Sequence, residues 1–137
     1  MKINHFVLIV ILQLCSFSVI NAQNKIEVNS KEVNTMLQKD KKLIVLDVRT
    51  VDEYKEGHLK GAINIDIRLS DALSKIDKLD HNAKYIVHCR TNHRSQIAVD
   101  HMVQSNFKTV YQMMDGISGW NENKLPIVKL TNVKIYH

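Results

Sequence analysis

Cys89 closes an apolar run, Tyr85-Ile86-Val87-His88, and the six residues Cys89–Arg94 separate that run from an amphipathic stretch. A strand that enters a tight loop and leaves it as a helix turns successive backbone N–H groups toward one place, where negative charge is favoured. A cysteine at the mouth of such a loop is expected to ionise more readily than a free thiol. Arg90 and Arg94 add positive charge on either side of it. The thiolate is the nucleophilic form of cysteine, so the pattern offers covalent catalysis at sulfur. The competing reading is a buried structural cysteine at the end of a core strand. Two arginines within five positions of Cys89 argue against an apolar burial site and for a reactive thiol.

The rest of the chain alternates strand and helix patterns, which points to an α/β layer fold with a mainly parallel sheet. Strands are expected at Ile26–Val28, Leu43–Val48, Ala62–Ile65, Lys84–His88 and Thr109–Gln112. The run Leu43–Val48 is apolar nearly throughout, as in a strand buried on both faces. Asn29 and Ser30 can cap a helix reaching Gln38, with Glu32 placed to complement its start. Val51–Lys55 suggests one helical turn closed by Gly57. Leu69, Ala72, Leu73 and Ile76 recur with a helical period between Arg68 and Ile76. Ser95–Ser105 predicts the helix behind the loop, with Ile97, Ala98, Met102 and Val103 inward. Asp115–Trp120 reads as a turn and short helix, and Pro126 starts an extended tail. In an open parallel sheet, reactive groups sit beyond the carboxyl ends of the strands, which is where Cys89 falls.

Length and composition set the outer bounds. The chain has 137 residues, 45% of them hydrophobic, enough for one cored domain and not for two. Residues 1–22 are expected to be an export signal: Lys2 supplies the positive start, Phe6–Leu12 and Leu14–Ile20 the apolar run, and Ala22–Gln23 the cleavage site. That run falls short of the about 20 apolar residues a membrane span needs. A lipoprotein signal at Cys15 fits less well because Leu14 precedes it, and an uncleaved anchor is a third alternative. Cleavage leaves residues 23–137 as one exported domain, with the periplasm as its expected compartment and no stable membrane insertion. It also removes Cys15, so Cys89 is the single thiol of the mature chain and has no internal disulfide partner. Losing Lys2 lowers the formal charge from +5 to about +4. The lysines are scattered, apart from Lys39, Lys41 and Lys42 in one expected solvated loop. No dense basic stripe with interleaved aromatics calls for nucleic acid. A mild positive charge suits a small anion.

Three segments, in order, resemble the rhodanese domain. Leu46-Asp47-Val48-Arg49-Thr50-Val51-Asp52-Glu53-Tyr54-Lys55-Glu56-Gly57-His58-Leu59-Lys60-Gly61-Ala62 is similar to the family's N-terminal signature. Cys89–Arg94 resembles its six-residue active-site loop, usually Cys-Arg-x-Gly-x-Arg followed by Ser, and Gly116–Trp120 with Pro126 resembles the C-terminal signature. The resemblance implies a rhodanese-like domain with a five-stranded, mainly parallel sheet flanked by helices. It also implies a thiosulfate or polysulfide sulfurtransferase that works through a Cys89 persulfide, without metal or organic cofactor. Its partners would be a small anionic sulfur donor and a thiol, cyanide or protein acceptor. Asn92 stands where the family usually has Gly, and if the turn there needs positive φ, Asn tolerates it better than most residues. Cysteine-dependent phosphatases and arsenate reductases resemble Cys-x5-Arg, one residue longer, to wrap a tetrahedral oxyanion. An interaction module with an incidental cysteine is the other alternative.

The candidate site comprises Cys89 as nucleophile and Arg90, Thr91, Asn92, His93 and Arg94 as the substrate-binding loop, with Asp47, Arg49 and His58 in support. Arg90 and Arg94 are expected to hold an anionic donor, with Arg94 also pinning the loop. Asp47 is expected to pair with an arginine, Arg94 being the candidate partner. Arg49 is read as serving the fold, and His58 as packing in a turn. His93 is left open between facing solvent and touching substrate. His88, Cys89 and His93 do not make a metal set, since adjacent strand residues face opposite sides. Trp120 is read as a core plug.

Overall fold

The computed structural model describes residues 25–130. The expected export signal, Cys15 and the Ala22–Gln23 junction lie outside the described residues. Five parallel strands run β1 Lys25–Val28, β2 Ile44–Asp47, β3 Ile63–Asn64, β4 Lys84–His88 and β5 Thr109–Met113. Their order in the sheet is β1-β5-β4-β2-β3, so β4 is central. The helices are α1 Ser30–Lys39, α2 Val51–Glu56, α3 Ala72–Asp77, α4 His93–Gln104 and α5 Gly116–Glu122. This is the expected five-stranded sheet flanked by helices, and all of its pairings are parallel.

The sheet is covered on both faces, as parallel sheets require. On one side Leu46, Tyr85, Val87 and Val110 pack with Ala72 and Ile76 of α3 and with Ala98, Val99 and Met102 of α4. On the other, Val45, Ile86 and Met113 meet Val33 of α1 and Ile117 and Trp120 of α5. Trp120 is the expected plug, 3% exposed, with its indole N–H donating to Pro126 O at 3.0 Å. The helix starts are written locally. Asn29 with Glu32, and Thr50 with Glu53, each form a reciprocal capping box.

Two helix faces differ from the sequence expectation. α3 begins at Ala72, not at Arg68, and buries only Ala72 and Ile76. Leu69 and Leu73 are 52% and 39% exposed, and Ile97 on α4 is 49% exposed. Each helical residue advances about 100° around the axis, so Leu73 and Ile97 sit one step off the stripes defined by Ala72–Ile76 and Ala98–Met102. α4 starts at His93, two residues before the expected Ser95.

The topology places the site. From β2 the chain moves outward to β3, then returns across β2 to β4 and on to β5. The connections therefore diverge between β2 and β4, leaving a crevice past their carboxyl ends. Val48 N donates to His88 O at 3.0 Å there, and Ile67 N to Val48 O at 3.3 Å. The segment after β3 thus lies beside the end of β2, one strand away from Cys89.

Candidate active site

The residues after β4 form a loop whose carbonyls are tied to the protein body. Ile117 N and Ser118 N, from the start of α5, donate to Cys89 O and Arg90 O at 3.0 Å each. Asn92 O accepts from Gln96 N at 2.9 Å, Ser95 Oγ at 2.9 Å and Gln112 Nε2 at 3.2 Å. In a trans peptide the N–H points opposite to the preceding C=O. The N–H groups of Arg90, Thr91 and His93 are therefore turned away from the protein body. Among the described residues, no backbone N–H from Arg90 to Ser95 donates to another protein group. These six consecutive donors, the last of them at the start of α4, suit an anion.

Gly116 makes this arrangement possible. Its φ is +56°, and a Cβ there would collide with Arg90 O and Thr91 O. The α5 turn can approach the back of the loop so closely only because position 116 carries no side chain.

Cys89 sits at the base of the loop, 1% exposed, in the apolar cluster with Leu46, Val48 and Ala98. This corrects the expectation that two neighbouring arginines would keep it out of an apolar setting. As the residue following β4 it continues the strand's alternation into the α3/α4 side, while Arg90 is exposed and Arg94 bridges to Glu53. Its Sγ–H donates to Ser95 Oγ at 3.8 Å. Arg90 is exposed, and its guanidinium makes no hydrogen bond or ion pair among the described residues. Thr91, Asn92 and His93 are exposed as well, and His93 is the first residue of α4. Asn92 has φ −141°, so the position usually held by Gly needs no left-handed backbone here.

The Asp47–Arg94 pair does not form. Arg94 instead makes a bidentate bridge to Glu53 of α2, at 2.7 and 2.8 Å. That hydrogen-bonded guanidinium outweighs burial and lowers the Glu53 carboxyl to about 2. Asp47 is fully buried and pairs with Arg49, Oδ2 to Nη2 at 2.6 Å, two residues along the same chain. The two aspartate oxygens also accept from Arg49 N and Nε, and Arg49 Nη2 donates to Gly57 O at 2.7 Å. Arg49 thus links the end of β2 to the residue after α2. His58 stacks on Tyr54 at 3.8 Å and hydrogen-bonds Tyr54 O through Nδ1. His88, buried beside Asp47, hydrogen-bonds Cys89 O through Nδ1 at 3.1 Å, and burial pushes its pKa down.

Sequence reasoning missed two residues. Glu53 carries a signal, since Thr50-x-x-Glu53 spells a capping box, but its second role toward Arg94 is tertiary. Gln112 is a polar residue in a strand otherwise fit for the core, and that mismatch was its signal. A cavity of about 700 Å³ lined mainly by Leu37, Leu43, Val45, Trp120 and Ile127, with Asp40, Lys41 and Lys60 also on its wall, lies apart from Cys89 and its loop.

A doubly covered parallel sheet with a cysteine loop at its switch point defines an α/β protein with Cys89 at the base of that loop. The model of the rhodanese-like domain matches residues 29–123, and the chain belongs to that family. It is 35% identical over 111 residues to the tRNA uridine(34) hydroxylase of Buchnera aphidicola, covering 75% of this chain and 34% of that protein. The chain thus spans about a third of the length of these relatives. It is 30% identical over 84 residues to the thiosulfate sulfurtransferase GlpE of Coxiella burnetii, covering 61% of this chain and 77% of GlpE. Among solved structures, a rhodanese-related protein from Thermoplasma volcanium superposes with a TM-score of 0.67 at 30% identity, over 77% of this chain and 98% of that one.

Proposed function

We propose that the protein is an exported sulfurtransferase that carries sulfane sulfur as a Cys89 persulfide. The observation that carries the reading is the loop itself: six N–H groups without a protein acceptor among the described residues, following a cysteine fixed at its base. In the first half-reaction the Cys89 thiolate attacks the outer sulfur of thiosulfate. The donor S–S bond breaks, and sulfite leaves with the electron pair. A polysulfide donor would release a shortened polysulfide in the same way. The new S–S bond, about 2 Å long, places the outer sulfur beyond the buried Sγ, within the ring of loop N–H donors. In the second half-reaction cyanide, a small thiol or a protein thiol attacks that outer sulfur, and the thiolate is regenerated. The cycle is ping-pong.

Charge supports an anionic donor. Glu53 already neutralises Arg94, and Asp66 pairs with Arg68 on the segment after β3, Oδ1 to Nε at 3.2 Å. Among the described residues Arg90 is the loop cation without a carboxylate partner. The short Cys-x4-Arg spacing disfavours phosphoryl transfer.

Intact mass after incubation with thiosulfate tests the reading. One added sulfur is expected on the protein and none on Cys89→Ser, with thiosulfate:cyanide transfer abolished in that variant and aryl-phosphate hydrolysis negligible in both. Undiminished transfer by Cys89→Ser would refute the persulfide. Absence of any added sulfur from thiosulfate or polysulfide would favour an interaction module.

A further inference from the structure

We infer that Gln112 is a positioning residue for Cys89, acting through Ser95. It holds the hydrogen-bond network in which the Ser95 hydroxyl turns from accepting the thiol proton to donating to the thiolate. The inference rests on Cys89 being the reactive group proposed above.

Gln112 is a fully buried side chain on β5, beneath the loop. Its Nε2 lies 3.2 Å from Asn92 O and 3.3 Å from Ser95 Oγ, and an amide NH2 has two N–H donors, enough for both. Ser95 Oγ donates to Asn92 O at 2.9 Å and faces Cys89 Sγ at 3.8 Å. With a neutral thiol the hydroxyl is complete: its proton goes to Asn92 O, and its lone pairs accept from Gln112 and from the Cys89 S–H.

Ionisation upsets that balance. The thiol proton leaves to water, no bond between heavy atoms changes, and Sγ becomes purely an acceptor. Ser95 stabilises the thiolate only by swinging its O–H from Asn92 O to Sγ. Asn92 O then keeps Gln96 N and Gln112 Nε2, one donor for each lone pair. Without Gln112 the swing would leave that carbonyl, whose bonds to Ser95 and Gln112 are part-buried, with Gln96 N alone, and the missing donor costs free energy. A second observation agrees. Gln112 Oε1 is one of two buried side-chain polar atoms that have no partner among the described residues. An unpaired amide oxygen in a sheet core is a penalty that a Met or Leu would avoid. What the position gains is therefore the donor end, which is aimed at the loop.

Other charges also bear on Cys89. Arg90 follows it in the loop, and His93 and Arg94 begin α4. Glu53 on α2 holds Arg94, Asp66 and Arg68 pair on the segment after β3, and His88 precedes it in β4. None of these is altered by changing Gln112.

The test is alkylation of Cys89 by iodoacetamide as a function of pH, followed on the Cys89 peptide of the full chain. In Gln112→Met the midpoint of the profile should rise by about one pH unit, with alkylation below the midpoint about tenfold slower and the alkaline plateau unchanged. In a Ser95→Ala background the same change should alter the rate less than about twofold, because the hydroxyl through which Gln112 acts is gone. A purely structural Gln112 would do the opposite, since in Ser95→Ala the loop carbonyl depends on Gln112 more. Should Gln112→Met not fold, Gln112→Asn, one methylene short of both acceptors, reads the same shift. An unmoved midpoint, a lowered plateau, or a shift retained in full in Ser95→Ala each overturn the inference. Alkylation needs no sulfur donor, so failure of the sulfurtransferase reading would leave this result standing.

Discussion

Replacing Glu53 by Gln isolates the bridge that ties the loop to α2. Gln keeps the capping box, because its amide oxygen can still accept from Thr50 N, so the loss falls on Arg94 alone. The Glu53 carboxyl is lowered from 4.5 to about 2, a difference of about 2.5 units. At about 1.36 kcal/mol per unit the ceiling is roughly 3.4 kcal/mol. The two side chains are 21% and 30% exposed, so solvent screening reduces this to about 2 kcal/mol. The sign follows from a folded pKa below the unfolded one. The stabilisation is present in full above pH 4.5 and is lost as pH falls toward about 2. Urea unfolding of both proteins between pH 7 and pH 2.5 should therefore show Glu53→Gln less stable by about 2 kcal/mol at neutral pH, with the gap narrowing steadily below about pH 4.5. A gap constant across that window, or none at pH 7, would refute the assignment of Arg94 to Glu53.

Gly116→Ala should destabilise the protein by about 3 kcal/mol or more, from left-handed backbone and from the clash with the loop carbonyls, and should slow sulfur loading of whatever folds. Thermal unfolding near the wild-type midpoint would count against the close approach of α5 to the loop. N-terminal sequencing of the protein from its native cell should find Gln23 first in an extracytoplasmic fraction. Met1 retained in a soluble cytoplasmic pool would refute export.

The candidate loop is legible in the sequence because its signals are local. A strand running into Cys89, a six-residue interval and a following amphipathic helix need no knowledge of the rest of the chain, and alternating periods of strand and helix suffice for a parallel α/β sheet. The reciprocal caps at Asn29 and Thr50 are equally local, since donor and acceptor lie three residues apart. What tertiary structure decided depends on which elements meet. Asp47 found its guanidinium two residues away in Arg49, which freed Arg94 for Glu53, 41 residues distant, and composition alone cannot rank those two pairings. Which side of α4 faces the sheet depends on where the helix starts. A start at His93 fixed Ala98 and Met102 inward and left Ile97 in solvent. The burial of Cys89 and the reach of Gln112 beneath its loop follow from the register of β4 against β5, which pairs Val87 with Gln112. Register and helix phase are set by the fit of whole surfaces, and that is why they had to be seen in three dimensions.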